Sequence, residues 1–145
     1  MSTTHGERHK TFEWKLIGDN IRIKNEEGRE HIYSLSETYT IIQWLGGNFG
    51  NDWFPLANNV ESMGSGEEKD GLGMAILNSS PDDITHAQGS SYLGVVFEEI
   101  GIFEWNGAKK GIQWRMAKKP ESINRLKQII KGHLSRKYFA NPTSE

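Results

Sequence analysis

The chain has no cysteine. That excludes a disulfide framework and any thiolate metal site, and is compatible with a reducing, cytoplasmic location. Long apolar runs are also missing. None approaches the roughly 18 residues that a membrane-spanning helix requires, so no membrane association is expected. The opening MSTTHGERHK lacks an apolar core and does not read as a secretory signal; residues 1–11 read as a disordered lead-in. The five histidines, His5, His9, His31, His86 and His133, show no metal-ligand spacing. No phosphate-cradling glycine loop preceding a helix and no Gly-x-Ser-x-Gly is present. Glu13-Trp14-Lys15 and Glu67-Glu68-Lys69 have the Glu-x-Lys form of metal-dependent nucleases. Only Glu7 precedes the first as a possible shared metal ligand, and the second follows Asp52 but lies in polar, glycine-rich sequence with no strand. His9-Lys10-Thr11 is a lone His-x-Thr without the second copy that phosphoesterase chemistry needs. No catalytic residue, metal or cofactor is expected, and the chain does not read as an enzyme.

What is present is enough for one folded domain. The 145 residues include five Trp, six Phe and four Tyr, and a chain of this length buries a sizeable core. The net charge of −2 conceals an asymmetry. Residues 1–100 carry seven basic and sixteen acidic groups, a net −9; residues 101–145 carry ten basic and three acidic, a net +7. A polyanion would meet the C-terminal third. The bland alternative is that these basic residues solvate a terminal helix.

Residues 12–35 read as a β-meander. Phe12, Trp14 and Leu16 alternate, as do Ile21 and Ile23, and Ile32-Tyr33 marks a third strand. Gly18-Asp19-Asn20 and Asn25 to Gly28 are turn clusters. Ser34 and Glu37 are spaced as a capping box, opening a helix with Tyr39, Ile42 and Leu45 on its buried stripe and Ile41 beside it. Gly46-Gly47 is expected to end it. Trp53-Phe54-Pro55-Leu56 is an apolar knot, with Pro55 as a candidate first position of a short helix through Val60. Ser62 to Asp70 reads as a polar, mobile loop, and Leu72 to Leu77 as a short helix. Pro120 opens a last amphipathic helix over 120–138, with Ile123, Leu126, Ile129, Ile130 and Leu134 on its apolar face. Residues 140–145 read as a frayed tail.

The stretch Asp83 to Met116 is the most informative. Thr85-His86-Ala87-Gln88 fits a capping box, and Leu93, Val96, Phe97 and Ile100 follow as one apolar stripe. Gly101 suits the position just past a helix end. Gly89 and Gly94 each weaken the helix by roughly 1 kcal/mol relative to Ala, which suggests that something packs closely there. Ile112, Trp114 and Met116 then alternate with Gln113 and Arg115, and Asn106-Gly107 and Gly111 supply turn chemistry. Ile102–Trp105 and Ile112–Met116 should pair, with Lys109 and Lys110 at the tip.

Residues 34–117 resemble the winged helix-turn-helix superfamily. Ser36–Leu45 correspond to its first helix, Leu72–Leu77 to the second, Thr85–Glu99 to the recognition helix and Ile102–Met116 to the wing. The segment 48–71 is an insertion; the meander at 12–35 and the helix at 120–138 are additions. The resemblance implies an α+β domain over 12–139 that binds double-stranded DNA as a small transcriptional regulator. With Leu93, Phe97 and Ile100 buried, Gln88, Ser91, Tyr92 and Val95 would face outward, with His86 and Ser90 flanking the helix start. Gln88 would pair with adenine or merely cap the helix. Lys109 and Lys110 would touch phosphates, and Arg115 would do likewise or reach the minor groove. Glu98 and Glu99 oppose this, because they repel phosphate and the helix macrodipole. A homodimer through Ile123, Leu126, Ile130 and Leu134 is a further expectation. Two rivals stand beside the DNA reading. One is a winged-helix protein-interaction module; the other is a small enzyme or ligand-binding domain with a pocket under the 48–71 insertion.

Overall fold

A computed structural model describes residues 2–6, 9–56, 71–79 and 89–140. Among them the chain is a mixed α+β fold with an antiparallel four-stranded sheet, a small three-stranded sheet and four helices. The expected helix from Pro55 through Val60, the polar loop Ser62 to Asp70, the Thr85–Gln88 cap and the last five residues fall wholly or largely outside this set.

The first sheet contains β1 (Ser2–Thr3), β2 (Thr11–Ile17), β3 (Asn20–Asn25) and β4 (Glu30–Ser34), in that order. The predicted meander is therefore present, with Phe12, Trp14, Ile21, Ile23, His31 and Tyr33 on its buried face. Gly18 and Gly28 take positive φ at the two reversals. Asn25 Oδ1 closes the second by accepting from the Glu27 and Arg29 amides. The lead-in is a correction. Ser2 and Thr4 are buried, and β1 adds to the edge of β2, so these residues are part of the fold.

Helix α1 (Leu35–Phe49) starts where the capping box predicts, with Ser34 Oγ accepting from the Glu37 amide at 3.1 Å. It does not end at Gly46-Gly47. It runs to Phe49, and Gly50 at φ 58° returns its N–H to the Gly46 carbonyl. Gly46 lies inside the helix with the Lys119 side chain laid against it. Pro55 corrects a second expectation, because it belongs to strand β5 (Phe54–Pro55). A proline is tolerated there since β5 is an edge strand.

Helix α2 (Leu72–Ser79) matches the predicted short helix and extends it by two residues. Helix α3 (Ser90–Glu99) corrects the expected start at Thr85, since its N-cap is Gly89 with no side-chain cap bond. It ends in paired reverse bonds, Ile102 N–H to the Phe97 carbonyl and Gly101 N–H to the Glu98 carbonyl. Gly101 sits at φ 83°, the Schellman arrangement that its position predicts. Strands β6 (Phe103–Trp105) and β7 (Gln113–Met116) pair antiparallel as expected, Phe103 opposite Met116 and Trp105 opposite Trp114. β5 pairs with the other edge of β7, giving the order β5-β7-β6. Helix α4 (Ile123–Ala140) starts after Ser122, whose Oγ accepts from the Arg125 amide, so Pro120 stands ahead of the cap.

One hydrophobic cluster joins both sheets and all four helices. Leu93, Phe97, Ile100 and Trp114 share it, as the helix stripe and the strand alternation predict. Leu126 and Ile130 are fully buried within the same chain, where α4 packs on α1 and β2. The dimer face expected on α4 is thereby corrected. Its two central residues have no exposed surface left for a partner, and only Ile123 remains notably exposed.

Candidate functional site

Helix α3 and the β6–β7 hairpin hold most of the sequence-predicted site residues, and the structure divides them. Seven of the ten residues of α3 are buried. One side packs on the first sheet. There Tyr92 meets Phe12 edge-on at 5.2 Å, with its hydroxyl 3.4 Å from Asn25 Nδ2. Another side packs on the hairpin, with Phe97 against Phe103 at 4.9 Å and Gly94 under Trp114. The face expected to point outward is therefore corrected: Ser90, Tyr92 and Val95 are buried, and Ser91 is half-buried. His86 and Gln88 lie outside the described residues.

The cause is legible in retrospect. Tyr92 and Val95 widen the Leu93-Val96-Phe97-Ile100 stripe to most of the helix circumference. In SSYLGVVFEE only the final two residues are charged, and a helix apolar on nearly all sides is an interior helix.

The hairpin tip is as expected. Lys109 and Lys110 are exposed in a loop shaped by Gly107 and Gly111 at positive φ. Asn106 ties that loop by accepting from the Ala108 amide and donating to the Gly111 carbonyl. Arg115 is already engaged. Its Nε donates to Glu104 Oε2 at 2.8 Å across the strand pair, and its guanidinium lies 4.7 Å above the Trp53 ring. A carboxylate thus occupies the place expected for a phosphate.

Sequence reasoning missed the cluster around Glu98 and Glu99. Glu98 Oε1 accepts from Trp114 Nε1 at 3.1 Å and pairs with His5 Nε2 at 2.7 Å. Glu99 Oε2 accepts from Ser2 Oγ at 2.6 Å. The His5 ring lies flat on Trp105, 3.5 Å between centroids and 4° from parallel. The two acids read as obstacles to phosphate are the anchors of the N-terminal arm. A histidine in a polar lead-in and two acids at a helix end give no sequence signal of their pairing.

The basic C-terminal surface is partly committed. Lys127 donates to Asp19 at 2.6 Å, and that contact holds the Asp19 carboxyl below the ordinary range. His133 on α4 stacks on Trp14 at 5.9 Å, and burial pushes its pKa down. Trp14 Nε1 and His133 Nε2 are both buried without a hydrogen-bond partner. No group of three or more His, Asp or Glu side chains among the described residues is placed to hold a metal. No helix among them is long and apolar enough to cross a membrane.

The described residues also shape a cleft of about 540 Å³ beside β2 and β3, bordered by Lys15, Arg22 and Lys137. None of the described residues of segment 48–71, under which a pocket was expected, lines it.

In comparisons with known proteins, no family model matches the chain, and no curated protein or solved structure matches it significantly.

Proposed function

We propose that this chain is a protein-interaction module built on a winged-helix-like core. The order α1, β5, α2, α3, β6, β7, with β5 completing a three-stranded sheet on the hairpin, supports the core. The burial of α3 between the first sheet and the hairpin carries the functional reading. A recognition helix must project its side chains into a major groove, and this helix spends its side chains on packing. The exposed hairpin side instead presents Trp53 beneath the Arg115–Glu104 pair. Tryptophan and arginine are the residues most enriched at protein-interface hot spots. The test is a gel shift on random duplex, titrated with salt. The module reading expects no steep fall of affinity with salt. A steep slope would overturn it.

A second reading rests on its own observation. Lys109 and Lys110 are exposed at the hairpin tip in the basic third of the chain. They favour sequence-independent duplex contact through the tip and support no base readout by α3.

A further inference from the structure

The strand register of the first sheet sets two cations against each other. Lys15 on β2 stands directly opposite Arg22 on β3. Like charges directly opposite across an antiparallel pair destabilise a sheet. The neighbouring row is balanced, since Lys24 stands opposite Glu13 on one side and Glu30 on the other. Arg22 is partly compensated by a two-pronged contact with Glu30 at 2.8 and 2.6 Å. Lys15 and Lys137 make no salt bridge or hydrogen bond among the described residues. Even so, α4 brings Lys137 to the same cleft as Lys15 and Arg22. Three cations from three elements line this cleft, beside Lys24 and the carboxylates of Glu13 and Glu30, and Arg22, Lys24 and Lys15 together hold the Glu30 carboxyl below its ordinary range. Local rules are broken in this way where a site requires it.

The cleft has the dimensions for a ligand. Its volume of about 540 Å³ falls within the roughly 300–1,000 Å³ of small-molecule sites. Trp14 also borders it, although its ring packs on the core side of the sheet against His133 and its indole N–H is buried.

We propose that this cleft binds a small organic phosphate, with Lys15 and Lys137 holding the phosphate group and Arg22 adding the guanidinium nitrogen that its Glu30 pair leaves over. Two ammonium groups and a guanidinium suit a dianion with three acceptor oxygens better than a single carboxylate. The space beyond a bare phosphate accommodates an organic body, and Glu13 on the same lining accepts its hydroxyl or amino donors.

The test uses the full chain with pyrophosphate and a nucleoside monophosphate as probes, against sodium chloride at matched ionic strength. Melting temperature and the ¹⁵N–¹H signal of the Trp14 indole, assigned with Trp14→Phe, are followed together. Both probes should raise the melting temperature saturably and shift the Trp14 signal. Lys15→Glu should raise the melting temperature without any probe, because it removes the like-charge pair, and should abolish the response to both probes. Lys137→Ala, at an exposed helical position, should weaken the response and leave the fold intact. Equal responses in wild type and both variants would overturn the proposal, as would no response at millimolar probe. Lys15-dependent binding of duplex DNA without any response to the small phosphates would also overturn it.

Discussion

Gly94 of α3 and Trp114 of β7 touch so closely that a Cβ on the glycine would stand 2.5 Å from the ring's Cη2. The indole is 1% exposed, and its Nε1 is held by Glu98, so the ring has little room to retreat. Gly94→Ala should therefore destabilise by about 1–3 kcal/mol, the usual cost of overpacking. Gly47→Ala is the control. It lies inside α1 with open space at its Cβ position, and should stabilise by about 0.5–1 kcal/mol. Denaturant midpoints of the two variants, moving in opposite directions, check both.

Leu93 is fully buried within the core cluster. Leu93→Ala should cost about 2–5 kcal/mol, measured by urea unfolding. A loss within about 0.5 kcal/mol, as at an exposed site, would contradict the packing of α3.

Glu98 serves two partners, and its truncation should be felt in both. Glu98→Ala leaves the Trp114 indole N–H buried without an acceptor, at about 1–3 kcal/mol. It also releases His5. Hydrogen exchange should then quicken at Thr4 and at the β1–β2 pairing, while α1 stays protected.

His133 gives the protein a pH dependence of definite sign. Burial lowers its folded-state pKa below 6.5, so the unfolded chain binds the proton more readily. The contribution is fully present above the unfolded value and is lost as pH falls through the lowered folded value. Asp19 and Glu30, whose pKa values are also lowered, lose theirs at still lower pH. His133→Phe keeps a ring on Trp14 and should flatten the stability profile just below pH 6.5. An unchanged profile would remove His133 as the cause.

If the hairpin tip meets duplex DNA, Lys109→Glu with Lys110→Glu should weaken binding on every sequence alike. The salt slope should fall by about 1 for each phosphate that is no longer neutralised. The fold should be untouched, because both lysines are exposed in a loop.

Local signals wrote much of this fold plainly. Ser34 with Glu37, the alternation through Trp114, and Gly101 each determine a cap, a strand or a stop from a few neighbouring residues. The close packing expected at Gly89 and Gly94 is present too, the first against Tyr33 and His31 and the second against Trp114. What stayed hidden depends on partners far along the chain. Whether Tyr92 faces water or Phe12 is decided by a sheet some 80 positions earlier. Pro55 is a strand residue only because β7 lies beside it. Glu98 and Glu99 look like misplaced charges until Ser2 and His5 arrive.

Ser2 meets Glu99 across 97 positions, His5 meets Glu98 across 93, and Lys127 reaches Asp19 across 108. Closing loops of that length delays folding, because their entropy is lost before the contacts repay it. The meander and the β1–β2 pairing are local, whereas the side-chain contacts of Ser2 and His5 need α3 in place. The contacts of Ser2 and His5 with α3 are therefore expected among the later ones to form, although they tie down one edge of the first sheet.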